Sequence, residues 1–148
     1  MLTETLRRLF SRDLLRLQEE VTLYQNEQNL WLIDKAIANS AGNLCLHLIG
    51  NLKTYIGAEL GGAAYVRQRS QEFSARYVPR AELLAQLAET RLLVDQSLGR
   101  LSEADVQQIY PQVVFDAPMT TEYFLVHLAT HLAYHLGQVN YHRRLLDA

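Results

Sequence analysis

Four of the five histidines fall in one stretch near the C-terminal end: His127, His131, His135 and His142. Wound into an α-helix at about 100° per residue, all four lie within an arc of roughly 80°. Gln138 falls inside that arc and Tyr134 just beside it, while Leu128, Leu132, Leu136 and Val139 occupy the adjoining arc. The histidines therefore border the core-facing side. A buried, unpaired imidazole is costly, and a divalent metal is one partner that removes the cost. His131 and His135 are one turn apart, so they can hold a single ion together. The fifth histidine, His47, stands between the core-like residues Leu44 and Leu48, with Asn51 one turn on. Ligands from facing helices of a bundle converge on its core, which makes His47 the expected third ligand.

Three neutral imidazoles leave a coordination position open, the pattern of catalytic rather than structural sites. The spacing is HxxxH and not HExxH: position 132 is Leu, so the general base of a metalloprotease is missing. Zinc, nickel, cobalt and iron all accept imidazole, with zinc or nickel the expected ion. Asn51, Tyr55, Tyr134 and Gln138 are placed to orient a substrate or to hold the second nitrogen of a ligand. His127, one turn before His131, reads as a supporting or surface group. His142 is too far along to share the ion and reads as surface or interface. Gly137 reads as a point of close helix packing. Cys45 is expected to be an inert buried thiol on nearly the opposite face from His47.

These residues need helices to carry them. Leu2, Leu6, Leu9, Phe10, Leu14, Leu17, Val21 and Tyr24 recur at helical spacing and predict a long first helix. The stretch 26–39 reads as a connection with some helical character. Ser40 is a candidate N-cap for a second helix that ends at Gly61-Gly62. The arginine-rich segment Tyr65–Pro79 reads as a long, partly exposed connection. Its arginines (with Arg80) have local ion pairs to Glu72 and Glu82 as the first expectation and the carboxylates of a thiol cofactor as the second. Leu83, Leu87, Val94, Leu98 and Leu101, with Thr90, mark a third helix from about Arg80. From Val106 to Pro118 the pattern is irregular, and YPQVVFDAP reads as extended. Thr120 or Thr121 caps a fourth helix with Glu122 in its first turn, running to about Leu146. The expected fold is all-α, a four-helix bundle with long connections, formed by residues 1–148 as one domain.

Of 148 residues, 14 are Lys or Arg and 16 are Asp or Glu, so no basic field attracts nucleic acid or anionic lipid. A single cysteine rules out an intramolecular disulfide and suits a reducing cytoplasm. The N-terminus MLTETLRRLFSRDLLRL lacks signal-peptide character. No apolar run approaches the roughly 18 residues of a membrane span. A cytoplasmic protein with neither nucleic-acid nor membrane partners is the expectation.

The segment His131-Leu-Ala-Tyr-His135-Leu-Gly137-Gln138 resembles the HxxxHxGQ signature of the DinB-like (YfiT-like) superfamily. NLCLHLIGNL around His47 looks like the second-helix histidine motif of that family, and YVRQRSQEF, from Tyr65 to Phe73, is similar to an arginine-rich segment of an uncharacterised branch. The resemblance implies a four-helix bundle with long connections, often a homodimer. Its metal triad falls on His47, His131 and His135. It also implies thiol-dependent transferases and isomerases that use low-molecular-weight thiols such as bacillithiol or mycothiol, while many relatives have no known activity. The leading functional expectation is a metal-dependent thiol S-transferase acting on a small-molecule thiol and an electrophile. The alternatives are a metal-dependent hydrolase and a non-catalytic, dimeric metal-binding module of a stress response.

Overall fold

Leu6, Phe10, Leu14, Leu17 and Val21 repeat at three- and four-residue steps. In the computed structural model, which describes residues 1–148, they form the buried stripe of helix α1 (Leu2–Leu23). Helix α2 (Ala41–Leu52) starts at Ser40, whose Oγ accepts from the Asn43 N–H at 3.1 Å. It continues as a π-helical segment over Lys53–Ala58 and ends in a turn at Gly62, where φ is +72°. Helices α3 (Arg69–Ser74), α4 (Arg80–Gly99), α5 (Glu103–Gln107) and α6 (Thr121–Leu146) follow. Thr120 caps α6 by accepting from the Tyr123 N–H at 3.1 Å. There is no strand, only an isolated bridge between Ile109 and Thr120. The all-α expectation, with four long helices, therefore holds. No helix is long and apolar enough to cross a membrane.

The long helices α1 and α2 both pack on α4 and α6. Their circular order is thus α1, α4, α2, α6, and α1 and α2 stand on a diagonal. The chain between them must cross one end of the bundle, which is why residues 24–40 form a long connection. A 3-10 turn, Glu27–Trp31, buries Leu30 and Trp31 there. The Trp31 indole lies on Gly42, where an added Cβ would come within 2.8 Å of the ring. Between α5 and α6, Tyr110 closes the other end of the core by donating to the Tyr55 carbonyl at 2.6 Å. The predicted extended stretch 110–118 has no regular structure, and the bridge lies outside it, between Ile109 and Thr120.

Two sequence-based expectations fail here. His142 is neither surface nor interface: it is only 4% exposed. The Tyr24 hydroxyl donates to its Nδ1 at 2.7 Å, and its Nε2–H donates to the Leu32 carbonyl at 2.9 Å. The crossing connection covers it. Asp147 reinforces that clasp by accepting from the backbone N–H groups of Gln25 and Asn26 at 2.6 and 3.2 Å. Gly137 does not permit close packing either. It is exposed, and a Cβ there would meet nothing within 4 Å.

The clasp yields a stability prediction. Tyr24→Phe leaves a buried His142 nitrogen without its donor, which costs about 1–3 kcal/mol. The denaturant midpoint should fall accordingly while helix content before the transition is unchanged. An unchanged midpoint would show that the His142–Tyr24 bond does not contribute.

Candidate metal centre

The site is assembled on α2, α6 and the short α3, and α3 is the piece that sequence periodicity does not reveal. Asn43, in the first turn of α2, donates through Nδ2 to the carbonyls of Glu72 and Ala75, both at 2.9 Å. Arg76 Nη1 donates to Asn43 Oδ1, Phe73 O and Ala75 O at 2.9, 3.0 and 2.8 Å. These bonds satisfy carbonyls that a helix C-terminus leaves without partners. They also dock α3 against α2, which aims Glu72 and Phe73 at His47.

Glu72 is only 6% exposed. Arg67 grips it with two parallel bonds, Nε to Oε2 at 2.9 Å and Nη2 to Oε1 at 3.0 Å. Burial pushes the Glu72 carboxyl up, but hydrogen bonds from His47 and Arg67 and the guanidinium charge outweigh it and hold the group below the usual carboxylate range. Glu72 is therefore an ionised acceptor. His47 Nδ1–H donates to its Oε1 at 3.1 Å, which turns the His47 Nε2 lone pair toward α6. Phe73 packs on the other side of the His47 ring, with 5.0 Å between centroids. Gly50, one turn along from His47, has room for no side chain: a Cβ there would collide with the Glu72 carboxylate.

On α6, His131 and His135 present their rings from successive turns. His135 Nδ1–H donates to Gln138 Oε1 at 2.6 Å, so its Nε2 also faces inward as a lone pair. His131 Nε2 lies 3.3 Å from His47 Nε2 and 3.1 Å from His135 Nε2. One ligand atom from each ring falls within 4.8 Å of the other two. The rings are not stacked but close to mutually perpendicular, at 77°, 90° and 89°, as rings around a common point are. Burial first, then the neighbouring imidazoles of His135, His47 and His127 and the charge of Arg67, push His131 down to about 4. Burial also lowers His135, partly offset by the bond to Gln138. Both rings are thus neutral near pH 7, the state in which imidazole ligates a metal. His47 is buried, whereas His131 and His135 are half-buried, so the cluster is not sealed. His135 and Gln138 also form part of the wall of a cavity of about 540 Å³ lined by Leu44, Tyr134 and Tyr141.

The structure thus brings His47, His131 and His135 together and places Gln138 behind His135. Tyr134 is exposed and meets the His135 ring edge-on at 5.3 Å. His127 stacks between Phe124 and His131, at 6.0 and 6.2 Å, with Phe115 against its edge. Asn51 is buried beside the cluster with its Oδ1 unpartnered. Cys45 is fully buried, and burial pushes its thiol up to about 12.

The arginine-rich segment needs correction. It is not simply a solvated connection, since Arg67 and Glu72 form a buried pair at the site. Arg76 binds the end of α3, and Arg80 donates to the carbonyls of Thr22 and Tyr24. Glu82 has no arginine partner and accepts from Gln86 at 3.3 Å. The expected local ion pair to Glu72 does form, from Arg67, but its place against His47, and the need for a glycine at position 50 to admit it, were not legible in the motifs. The available signals are the presence of Arg67 and Glu72 in the segment YVRQRSQEF and of Gly50 in NLCLHLIGNL.

The sequence profile of the DinB superfamily matches residues 4–139, a span that contains all three clustered histidines. No protein of curated function matches the chain. With its helical bundle and its histidine cluster shared between α2 and α6, the chain belongs to the DinB superfamily.

Proposed function

We propose that this chain binds a divalent ion, zinc or nickel, through Nε2 of His47, His131 and His135, and serves as a thiol S-transferase-type enzyme. The observation that carries the metal reading is the convergence of three imidazole Nε2 atoms, two of them backed by acceptors on the opposite nitrogen. Metal–nitrogen bonds of about 2.0–2.1 Å in a tetrahedron place neighbouring donors about 3.3 Å apart. The separations of 3.1 and 3.3 Å fit that edge. In the absence of a cation, one proton on His131 Nε2 has to serve two facing lone pairs.

Charge and exposure favour an exogenous anion as the remaining ligand. Glu72 and Arg67 cancel, imidazole ligates a metal as the uncharged ring, and Gln138 carries no charge, so nothing in the immediate protein environment offsets a divalent charge. A divalent ion held there would lower the pKa of a bound thiol and supply a thiolate at neutral pH. Glu72, the carboxylate that hydrogen-bonds to the cluster, is committed to Arg67 and His47 and is not available as a base for hydrolysis. The buried Cys45 is no nucleophile. A nucleophile brought in by a small thiol fits this site better than one supplied by the chain.

Three outcomes test this reading. Untagged protein should hold stoichiometric zinc or nickel by elemental analysis, and the His131→Ala/His135→Ala double variant should lose it while remaining helical; equal metal content in both would sink the triad. Metal-loaded protein should consume a low-molecular-weight thiol in the presence of an electrophile such as monochlorobimane. Full loading with no turnover on any of bacillithiol, mycothiol, glutathione or cysteine would leave a binding module in place of an enzyme. Gly50→Ala, by displacing Glu72 from His47, should weaken metal affinity by about 10–100-fold, the usual effect of losing a ligand's hydrogen-bond partner. Competition with a chromophoric chelator reads that change, and an unaltered affinity would remove Glu72 from the argument.

A further inference from the structure

The supports behind the three histidines are uneven. Glu72 holds His47 and Gln138 holds His135, but His131 Nδ1 is buried with no hydrogen-bond partner. Buried polar atoms of this kind are rare in folded proteins and call for a reason. A second one belongs to Asn51, one turn from His47 on α2. Asn51 is 7% exposed, and its Oδ1 is buried without a partner.

The helix packing relates the two atoms. His47 on α2 meets His131 and His135, and two turns further along the same chain Tyr55 meets Phe124 at 5.0 Å between ring centroids. The two elements therefore run antiparallel at the site. Asn51 is one turn from His47 and one turn from Tyr55, so it stands opposite the part of α6 between Phe124 and His131.

The chemistry of the two orphans is complementary. An imidazole that gives its Nε2 lone pair to a cation keeps its proton on Nδ1, where it needs an acceptor. An amide oxygen is an acceptor. We propose that Asn51 is the positioning residue of His131: its Oδ1 accepts the His131 Nδ1 proton, directly or through one enclosed water, when Nε2 is used for metal binding. This inference rests on the metal reading above. It completes a set in which every ligand ring is fixed by its own side chain, and it explains why a bare amide oxygen is kept in a helix interface.

The test compares untagged wild type with Asn51→Leu, close in volume and without an acceptor, and Asn51→Asp, which keeps one. Zinc affinity by chelator competition should fall about 10–100-fold in the leucine variant and return in the aspartate variant. The metal-free leucine variant should be at least as resistant to denaturant as wild type, because a buried unpartnered amide has been removed. A merely structural role for Asn51 would show the reverse, lower stability with zinc affinity retained. In zinc-loaded wild type, the His131 Nδ1 proton should give a slowly exchanging NMR signal. A freely exchanging proton overturns the proposal even if the leucine variant does not fold. Wild-type zinc affinity in the leucine variant overturns this inference alone. A wild-type chain that takes up no zinc overturns the metal reading and this inference with it.

Discussion

An ionised carboxylate placed inside a protein costs several kcal/mol unless it is paired and fully hydrogen-bonded. Glu72 meets that condition through the two-pronged Arg67 contact and the His47 Nδ1–H. The arrangement of the site follows from this requirement. Gly50 has to lack a side chain so that the carboxylate can approach α2. Asn43 and Arg76 have to hold the end of α3 so that Glu72 is delivered in the right orientation. The consequence for chemistry is a His47 ring fixed in one tautomer, with its free lone pair aimed at α6. A pairing that would be a weak source of stability is here a source of geometry.

The bundle supplies the second half of that geometry. Because α2 and α6 are neighbours in the ring of helices, one histidine from α2 faces two from successive turns of α6. The same arc of α6 does different work further along. His142 shares the angular position of the cluster histidines, yet Tyr24 and the Leu32 carbonyl consume both of its nitrogens. What separates the two is the first connection. It crosses the bundle end over His142 and leaves His131 and His135 half open. Position on a helix face selects which residues point inward, and the connections select which of them remain chemically available.

The parts of this molecule legible in its sequence are those governed by local rules. The stripe from Leu6 to Val21, the caps at Ser40 and Thr120, and the stop at Gly61-Gly62 depend on backbone sterics and three- to four-residue periodicity, so the helices α1, α2, α4 and α6 could be drawn from residue order alone. The one-turn spacing of His131 and His135 placed two rings together for the same reason. His47 followed because a core-like histidine on another bundle helix has few places to point.

Tertiary contact decided the remainder. No local rule says that Arg67 and Glu72, in a polar segment, will be drawn under α2, because their burial depends on each other and on Asn43, which comes from outside their own stretch. No periodicity distinguishes a buried His142 from an exposed one, since the cover comes from residues more than a hundred positions away. Gly137 illustrates the converse: a glycine in the middle of a helix suggests close packing, but nothing approaches it. Sequence by itself determined which side chains can ligate and on which faces they lie. The fold determined which nitrogens are left free to do so, because hydrogen-bond partners are assigned only when distant segments compete for the same atoms.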